Sequence, residues 1–316
     1  TPAPVATAEA PVAAPLPPLV AEEAALVAPL TSLVERLTRA GRRTPEDPLG
    51  LATATDDLAL ALEAQGLSVN RRGYEAGGGV VQNLEVVVPG GRRGKEVVVV
   101  AAHYDGSAAG PSADDATGAA VLVTLAQALR GARPDRTVRL AWYATSAASG
   151  APASQTGSEA HVRALLAEGA QVVAMIAVDG VGRYGPAARG GVAPGRGPVL
   201  PAAGDFLAIT SSGEERELPR RVTAELSRES SLPVVGELRE EDLPGLGTGD
   251  HLAFSRARVP AVQLTDTGAA RDPGHRGAGD LAATLDLERV ARLAHALPRV
   301  VLTLATEPDA SGGQPP

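Results

Sequence analysis

The feature that most constrains the fold is a run of six apolar residues, Val97–Ala102, which ends at His103. A strand of this kind is apolar on both faces, so other elements have to cover both of them. The runs "RTVRLAWYA", "QVVAMIAVD" and "VPAVQLTD" have the same character, and helical patterns such as "ATGAAVLVTLAQALRG" lie between them. Apolar strands that alternate with helices predict an α/β fold, in which helices cover both faces of a mostly parallel sheet.

The length of the chain fits one large domain or two small ones, because 316 residues with 44% hydrophobic residues can form a substantial core. Helical patterns run from residue 24 to about residue 66, and a last one closes the chain in "LERVARLAHALPRVVLTLA". Pro and Ala dominate the beginning of the chain, which predicts an extended tether. We therefore expect a disordered tether over 1–23, a single domain over 24–306 and a disordered tail over 307–316.

Composition excludes several classes of partner. The net charge is −8 and no basic tract occurs, so nucleic acid is not an expected partner. No apolar run reaches the ~20 residues of a membrane-spanning helix. The sequence has no cysteine, which excludes disulfides and cysteine-bound zinc. A peptide or small-molecule ligand remains, and we expect the tether to be what is left after removal of a bacterial export signal.

Carboxylates and an imidazole gather where the predicted strands end. They are His103 and Asp105 after the first strand, Asp114 and Asp115 at the next helix, and Asp179 and Asp266 after later strands. Ligands of such sheets bind at the carboxyl ends of the strands, so these groups predict a metal site with His103 as ligand and Asp105 as its orienting partner. The alternative is ordinary capping and turn formation, which we favour for Asp266 and for Asp115 taken alone.

The other histidines divide into two pairs. His161 and His295 lie within helical patterns and are expected to be packed or solvated. His251, which follows Asp250 in "GTGDHLAF", and His275 in "RDPGHRG" lie in predicted loops beside acids and glycines. That setting fits either a functional site or a turn.

The order of these segments resembles the co-catalytic zinc aminopeptidase family, whose relatives include glutamate carboxypeptidases and glutaminyl cyclases. The resemblance covers roughly residues 50–300. "VVVVAAHYDG" resembles the strand with the first zinc-ligand histidine, "SADDATGAAVLVTLAQAL" the bridging-aspartate segment, and "AMIAVDGVG" the strand with a third ligand. The resemblance implies a three-layer α/β/α fold with a central mixed, mostly parallel sheet.

Carried over residue by residue, the resemblance implies that His103, Asp114 and Asp179 bind the first zinc ion. Asp114 matches the bridging aspartate because Gly118 follows it four positions later. Members of the family hold the peptide bond after this aspartate in the cis form. The resemblance also implies four supporting residues around the ligands, which are Asp105, Asp115, Asp250 and His251.

Two acids of the family pattern are missing after "RTVRLAWYA". Relatives have a general base and a ligand of the second zinc there, whereas this sequence has Ser146 and Ala147, and no acid before Glu159. The place of the last histidine ligand is taken by Arg276, and His275 stands one position earlier, where relatives often carry a group that stabilises the transition state. The resemblance therefore implies one zinc ion at most, or none, and no assured catalytic residue, with His275 and Arg276 as the possible candidates.

The leading hypothesis is a pseudopeptidase with a mono-zinc or metal-free site that is weakly active or inactive. The second is an active metallo-exopeptidase that uses a relocated general base. A third is a serine hydrolase, since Ser146, Asp179 and His251 or His275 follow the chain order of a known triad, but no Gly-x-Ser-x-Gly elbow surrounds the serine. A mono-zinc cyclase needs the same missing ligands, and a purely structural role is the remaining alternative.

Overall fold

An eight-stranded sheet with helices on both faces forms the centre of this computed structural model. The structure describes residues 15–39, 41–147, 150–185, 201, 204–240, 248–272 and 274–306. The strands are β1 Asn70–Ala76, β2 Gly79–Val88, β3 Arg93–His103, β4 Arg136–Tyr143, β5 Gln171–Val178, β6 Leu207–Ser211, β7 Val234–Arg239 and β8 Ala261–Thr265. The helices are α1 Ala21–Arg39, α2 Pro48–Glu63, α3 Asp115–Ala128, α4 Gly157–Ala167, α5 Glu217–Glu229, α6 His251–Arg256, α7 Gly268–Arg271 and α8 Leu287–Thr306.

The sheet is mixed, as the sequence predicts. Its strand order is β1-β2-β4-β3-β5-β8-β6-β7. The central pairs β3–β4, β3–β5 and β5–β8 are parallel, and so is β6–β7. The pairs β1–β2, β2–β4 and β6–β8 are antiparallel. The carboxyl ends of β3, β4, β5 and β8 therefore meet at one edge of the sheet.

Strand β3 shows why the fold needs three layers. Val98 and Val100 point into a core that also contains residues of α1, α2, α3, α5 and α8. Val97 and Val99 point to the opposite face, where they join residues of α4 and α6. Because successive side chains of a strand alternate between faces, an uninterrupted apolar strand has to be covered on both. The three-layer prediction is confirmed.

The amino-terminal boundary differs from the predicted one. Helix α1 begins at Ala21, and Leu16 packs against the main core, so the predicted boundary after residue 23 falls inside an ordered helix. Residues 1–14 and the predicted tail, 307–316, lie outside the described residues. No helix in the described part of the chain is both long and apolar enough to cross a membrane.

Candidate metal centre

His103 lies at the carboxyl end of β3 and is fixed from both sides. Its Nδ1 lies 2.8 Å from Oδ1 of Asp105, and its Nε2 lies 2.9 Å from Oδ1 of Asp179. The backbone N–H of Ser146 donates to the other oxygen of Asp105 at 2.7 Å, so the carboxylate that orients the imidazole is itself held. Burial lowers the pKa of His103, but Asp179 and Asp105 outweigh burial and raise that pKa well above its usual value.

Asp179 follows β5 and is held by a residue of the neighbouring strand. Nε2 of Gln263, in β8, donates to Oδ2 of Asp179 at 3.1 Å. Burial alone would raise the pKa of Asp179, but the positive charges of His103 and Arg276 lower it well below its usual value. The carboxylate is therefore ionised at neutral pH and faces the imidazole.

Asp115 is the third member of the cluster. In the described part of the chain, His103, Asp115 and Asp179 form the single group of three or more metal-binding side chains whose ligand atoms all lie within 4.8 Å of one another. All three are buried, with at most 8% of the residue surface exposed. An imidazole nitrogen with two carboxylate oxygens is a donor set that zinc accepts, and it leaves a fourth position open. The residues therefore fit one zinc ion.

Asp114 occupies a different position from the one that the family resemblance implies. Its Oδ1 accepts a hydrogen bond from the backbone of Gly182 at 2.9 Å, and its Oδ2 lies 3.5 Å from Nδ1 of His275. The peptide bond between Asp114 and Asp115 is trans, which corrects the cis form expected from the resemblance. Consecutive side chains at the start of a helix point about 100° apart, so only one of the two carboxylates can face His103. Here that carboxylate belongs to Asp115.

Arg276 lies against the cluster and binds Asp115. Its Nε lies 2.9 Å and 3.0 Å from the two carboxylate oxygens of Asp115, and its Nη2 lies 3.8 Å from Asp179. Burial opposes ionisation of Asp115, but Arg276 and His103 lower the pKa of this carboxyl below its usual value. His275, the preceding residue, is directed towards Asp114 and not towards this cluster.

Asp250 and His251 mark the start of α6 and have different surroundings. Asp250 is 4% exposed, and burial, followed by the charge of Asp179, raises its pKa to about 7. Nε2 of His251 lies 2.7 Å from a carboxylate oxygen of Glu240, so His251 pairs outside the ligand cluster. Asp250 is therefore a carboxyl group that changes its charge near neutral pH beside the predicted site.

The arrangement of histidines argues against a serine triad. Ser146 is buried in the segment after β4, and its backbone N–H donates a hydrogen bond to the carboxylate of Asp105. His251 faces Glu240, and His275 faces Asp114. A triad needs a histidine between the serine and an acid, and both candidate histidines have carboxylates other than Asp179 as neighbours.

Sequence analysis did not single out three residues that position the site. Gln263 holds Asp179, and a polar residue inside the apolar run "VPAVQLTD" was the signal that could have identified it. Arg43 is 1% exposed and donates to the carbonyl oxygens of Tyr104 and Ser112 at 2.7 and 2.8 Å. Asp280 accepts the backbone N–H of Asp114 at 3.1 Å. For the last two, no pattern in the sequence indicates the partner.

Asp266 confirms the alternative interpretation of acids at strand ends. Its carboxylate accepts the backbone N–H groups of Arg183 and Gly268, both at 2.5 Å. It thus forms the turn after β8, as expected of a turn residue. A cavity of about 10 Å³ beside it is lined in part by Asp179, Gln263 and Arg276. That volume is about the smallest that holds one water molecule.

Comparisons with known proteins agree with this fold. The sequence profile of peptidase family M28 matches residues 83–301. The uncharacterized protein YfbL of Escherichia coli K12 is 27% identical over 241 residues, which are 73% of each chain.

Solved structures with a similar fold include LapB, a leucine aminopeptidase precursor and a glutaminyl cyclase. LapB of Legionella pneumophila has a TM-score of 0.69 at 18% identity, over 91% of this chain and 75% of its own. A leucine aminopeptidase precursor of Bacteroides thetaiotaomicron has a TM-score of 0.67 at 17% identity, over 87% of this chain and 96% of its own. A glutaminyl cyclase of the same organism has a TM-score of 0.65 at 16% identity, over 87% of this chain and 97% of its own. These identities show a shared fold, and the profile match, which covers more than half of the sequence, shows that the chain belongs to peptidase family M28.

Proposed function

We propose that this protein is an M28-type exopeptidase homologue that holds at most one zinc ion and hydrolyses peptides weakly or not at all. The observation that carries the proposal is the composition of the segment after β4. Residues 144–158 contain no acid, although the family resemblance places a general base and a metal-binding carboxylate there. A positioned general base contributes about 10²–10⁴-fold to the rate of such reactions, so its loss removes most of the activity.

The ligand set supports a single ion. His103 would bind through Nε2, because Asp105 holds Nδ1, and Asp115 and Asp179 would each supply a carboxylate oxygen. Zinc at such a site acts as a Lewis acid towards a carbonyl group or a water molecule. Two other residues of this chain would orient the ligands: Asp105 fixes the imidazole of His103, and Gln263 fixes the carboxylate of Asp179.

Elemental analysis of the purified protein tests the proposal. We expect about one zinc ion per chain after gentle purification, and weak or absent turnover of aminoacyl-nitroanilides. A reproducible value of two zinc ions per chain would contradict the ligand set. His103→Ala should abolish zinc uptake. The exposed substitution Arg299→Gln serves as the control and should leave zinc uptake unchanged.

A working exopeptidase is the second candidate, and one observation favours it. The carboxyl group of Asp250 is buried beside the cluster with a pKa of about 7, which is suitable for a general base near neutral pH. In that case nitroanilide turnover should disappear with a chelator, return with zinc and be lost in Asp250→Asn. Turnover that survives Asp250→Asn would exclude this role for Asp250.

A further inference from the structure

Arg276 grips Asp115 with two of its nitrogen atoms. Nε lies 2.9 Å and 3.0 Å from the two oxygens of Asp115, and Nη2 lies 2.9 Å from one of them. The Asp115 side chain has no exposed surface, and that of Arg276 is 18% exposed. A guanidinium group that binds a carboxylate in this forked manner is among the strongest ion pairs of proteins. Both carboxylate oxygens are thus already paired with a cation.

The backbone holds Arg276 in this place. Its φ angle is 57°, in the left-handed region that residues other than glycine rarely adopt. Its N–H donates to Oδ2 of Asp280 at 3.2 Å, while Oδ1 of Asp280 accepts the N–H of Asp114 at 3.1 Å. One buried carboxylate therefore joins the turn that carries Arg276 to the start of α3, which carries Asp115. The fold therefore places the guanidinium group of Arg276 beside the cluster of His103, Asp115 and Asp179.

A metal ion at Asp115 would have to share the carboxylate oxygens with this guanidinium group. Asp115 is one of the three ligands of the cluster, and a carboxylate oxygen binds zinc at about 2.0–2.2 Å. The charge of Arg276 is permanent, because guanidinium does not lose its proton in proteins. Nη2 also lies 3.8 Å from Asp179, so the same cation repels an ion bound between the two acids.

We propose that Arg276 is a built-in competitor for the metal at this centre. It occupies the anionic side of the cluster, prevents a second ion from binding there and weakens the binding of the first. The proposal rests on the proposed function, because it needs zinc to bind to His103, Asp115 and Asp179. It makes the affinity for zinc, and not only the number of ions, a property set by one residue outside the ligand set.

Zinc titrations of matched variants test this competition. Arg276→Met removes the charge and the donors but keeps a long side chain, Arg276→Lys keeps the charge, and Arg299→Gln removes one charge from an exposed position. With a chromophoric chelator as competitor, we expect Arg276→Met to bind zinc about tenfold or more tightly than the wild type. Arg276→Lys and Arg299→Gln should stay within about threefold of the wild type.

Thermal unfolding gives a second readout that does not depend on activity. Without its guanidinium partner, Asp115 is a buried unpaired charge, so metal-free Arg276→Met should melt below the wild type, and zinc should raise its Tm more than that of the wild type. Equal or weaker zinc binding by Arg276→Met would overturn the competition. If Asp179→Asn then still abolishes zinc binding to an otherwise wild-type chain, the proposed metal site survives that failure. If neither the wild type nor Arg276→Met takes up zinc, the competition and the metal site both fail.

Discussion

Asp250 is a buried residue whose charge should affect stability near neutral pH. Burial raises its pKa to about 7, whereas an unfolded chain releases this proton near pH 4. Between these values the folded state holds a proton that the unfolded state has lost, so stability falls as the pH rises through this window. Above pH 7 the folded protein carries a buried carboxylate close to Asp179.

We predict that Asp250→Asn removes this pH dependence. Measured by urea unfolding in the presence of a chelator, the variant should gain about 2 kcal/mol relative to the wild type between pH 5 and pH 8. The exposed Asp56→Asn serves as a control and should differ little from the wild type at both pH values. A difference between Asp250→Asn and the wild type that does not change with pH would contradict the prediction.

The proximity of two proposed site residues could be predicted from the sequence, because their positions follow from the ends of strands. His103 and Asp179 come at or directly after the ends of β3 and β5, which are adjacent parallel strands, so the two side chains have to meet. The choice between Asp114 and Asp115 could not be made in this way. It depends on the geometry of one peptide bond and on the direction in which a helix begins, and neither can be predicted from the residue types.

At the scale of elements, Gly118 shows how closely α3 lies on the sheet. A Cβ atom at this position would lie 2.1 Å from the carbonyl oxygen of Val178 in β5. That oxygen belongs to a paired central strand, so α3 would have to move instead. Gly118 is three residues after Asp115 and therefore on the same face of the helix. A shift of α3 at Gly118 would therefore also move Asp115, the proposed ligand.

We predict that Gly118→Ala destabilises the protein by about 2 kcal/mol, although alanine is the better helix former by about 1 kcal/mol. Zinc binding should weaken at the same time. Gly79→Ala is a suitable control, since no heavy atom lies within 4 Å of the added Cβ, and its effect should be below about 0.5 kcal/mol. Chemical unfolding and zinc titration measure both effects, and an unchanged Gly118→Ala protein would show that α3 has room to move.

Elements far from the site were harder to anticipate. The sequence pattern identified β3, β4, β5 and β8 because they are buried on both faces. Strand β1, "NRRGYEA", is an exposed edge strand without apolar alternation, and it gains its conformation by pairing with β2. Helix α5 is a contrasting case. It buries Leu218, Val222 and Leu226, which are spaced four residues apart, so the sequence does contain a helical pattern there.

At the scale of the whole molecule, parallel strands explain why one edge of the sheet concentrates acidic groups. Strands β3, β4, β5 and β8 end there, and α3 and α6 begin there, so chain segments far apart in sequence place carboxylates together. The cost of burying those charges is offset by His103, Arg276 and Arg43. The sequence analysis could foresee the gathering of acids and placed Arg276 at a ligand position of the family, whereas Arg43 comes from a loop whose course is set only by the complete fold.

The amino-terminal segment allows a last test of how far the domain extends. Arg292 in α8 is 3% exposed, and its Nη2 donates to the carbonyl oxygen of Pro17 at 2.5 Å. Leu16 packs against the main core. Residues 15–20 thus supply both an acceptor for a buried cation and apolar surface, although they precede the first helix.

We predict that deletion of residues 1–14 leaves Tm unchanged, whereas deletion of residues 1–20 lowers it by several degrees. The longer deletion removes the Pro17 acceptor and the Leu16 contact, with a combined loss of about 2 kcal/mol, which corresponds to roughly 2–4 °C in a domain of this size. Leu16→Ala in the full chain should account for part of the loss, which separates the apolar contact from the hydrogen bond to Arg292. Thermal unfolding of the three proteins and the wild type measures the effect. An equal loss of Tm in both deletions would place the boundary of the folded domain before residue 15, and the ordered core would then begin within the Pro/Ala-rich segment.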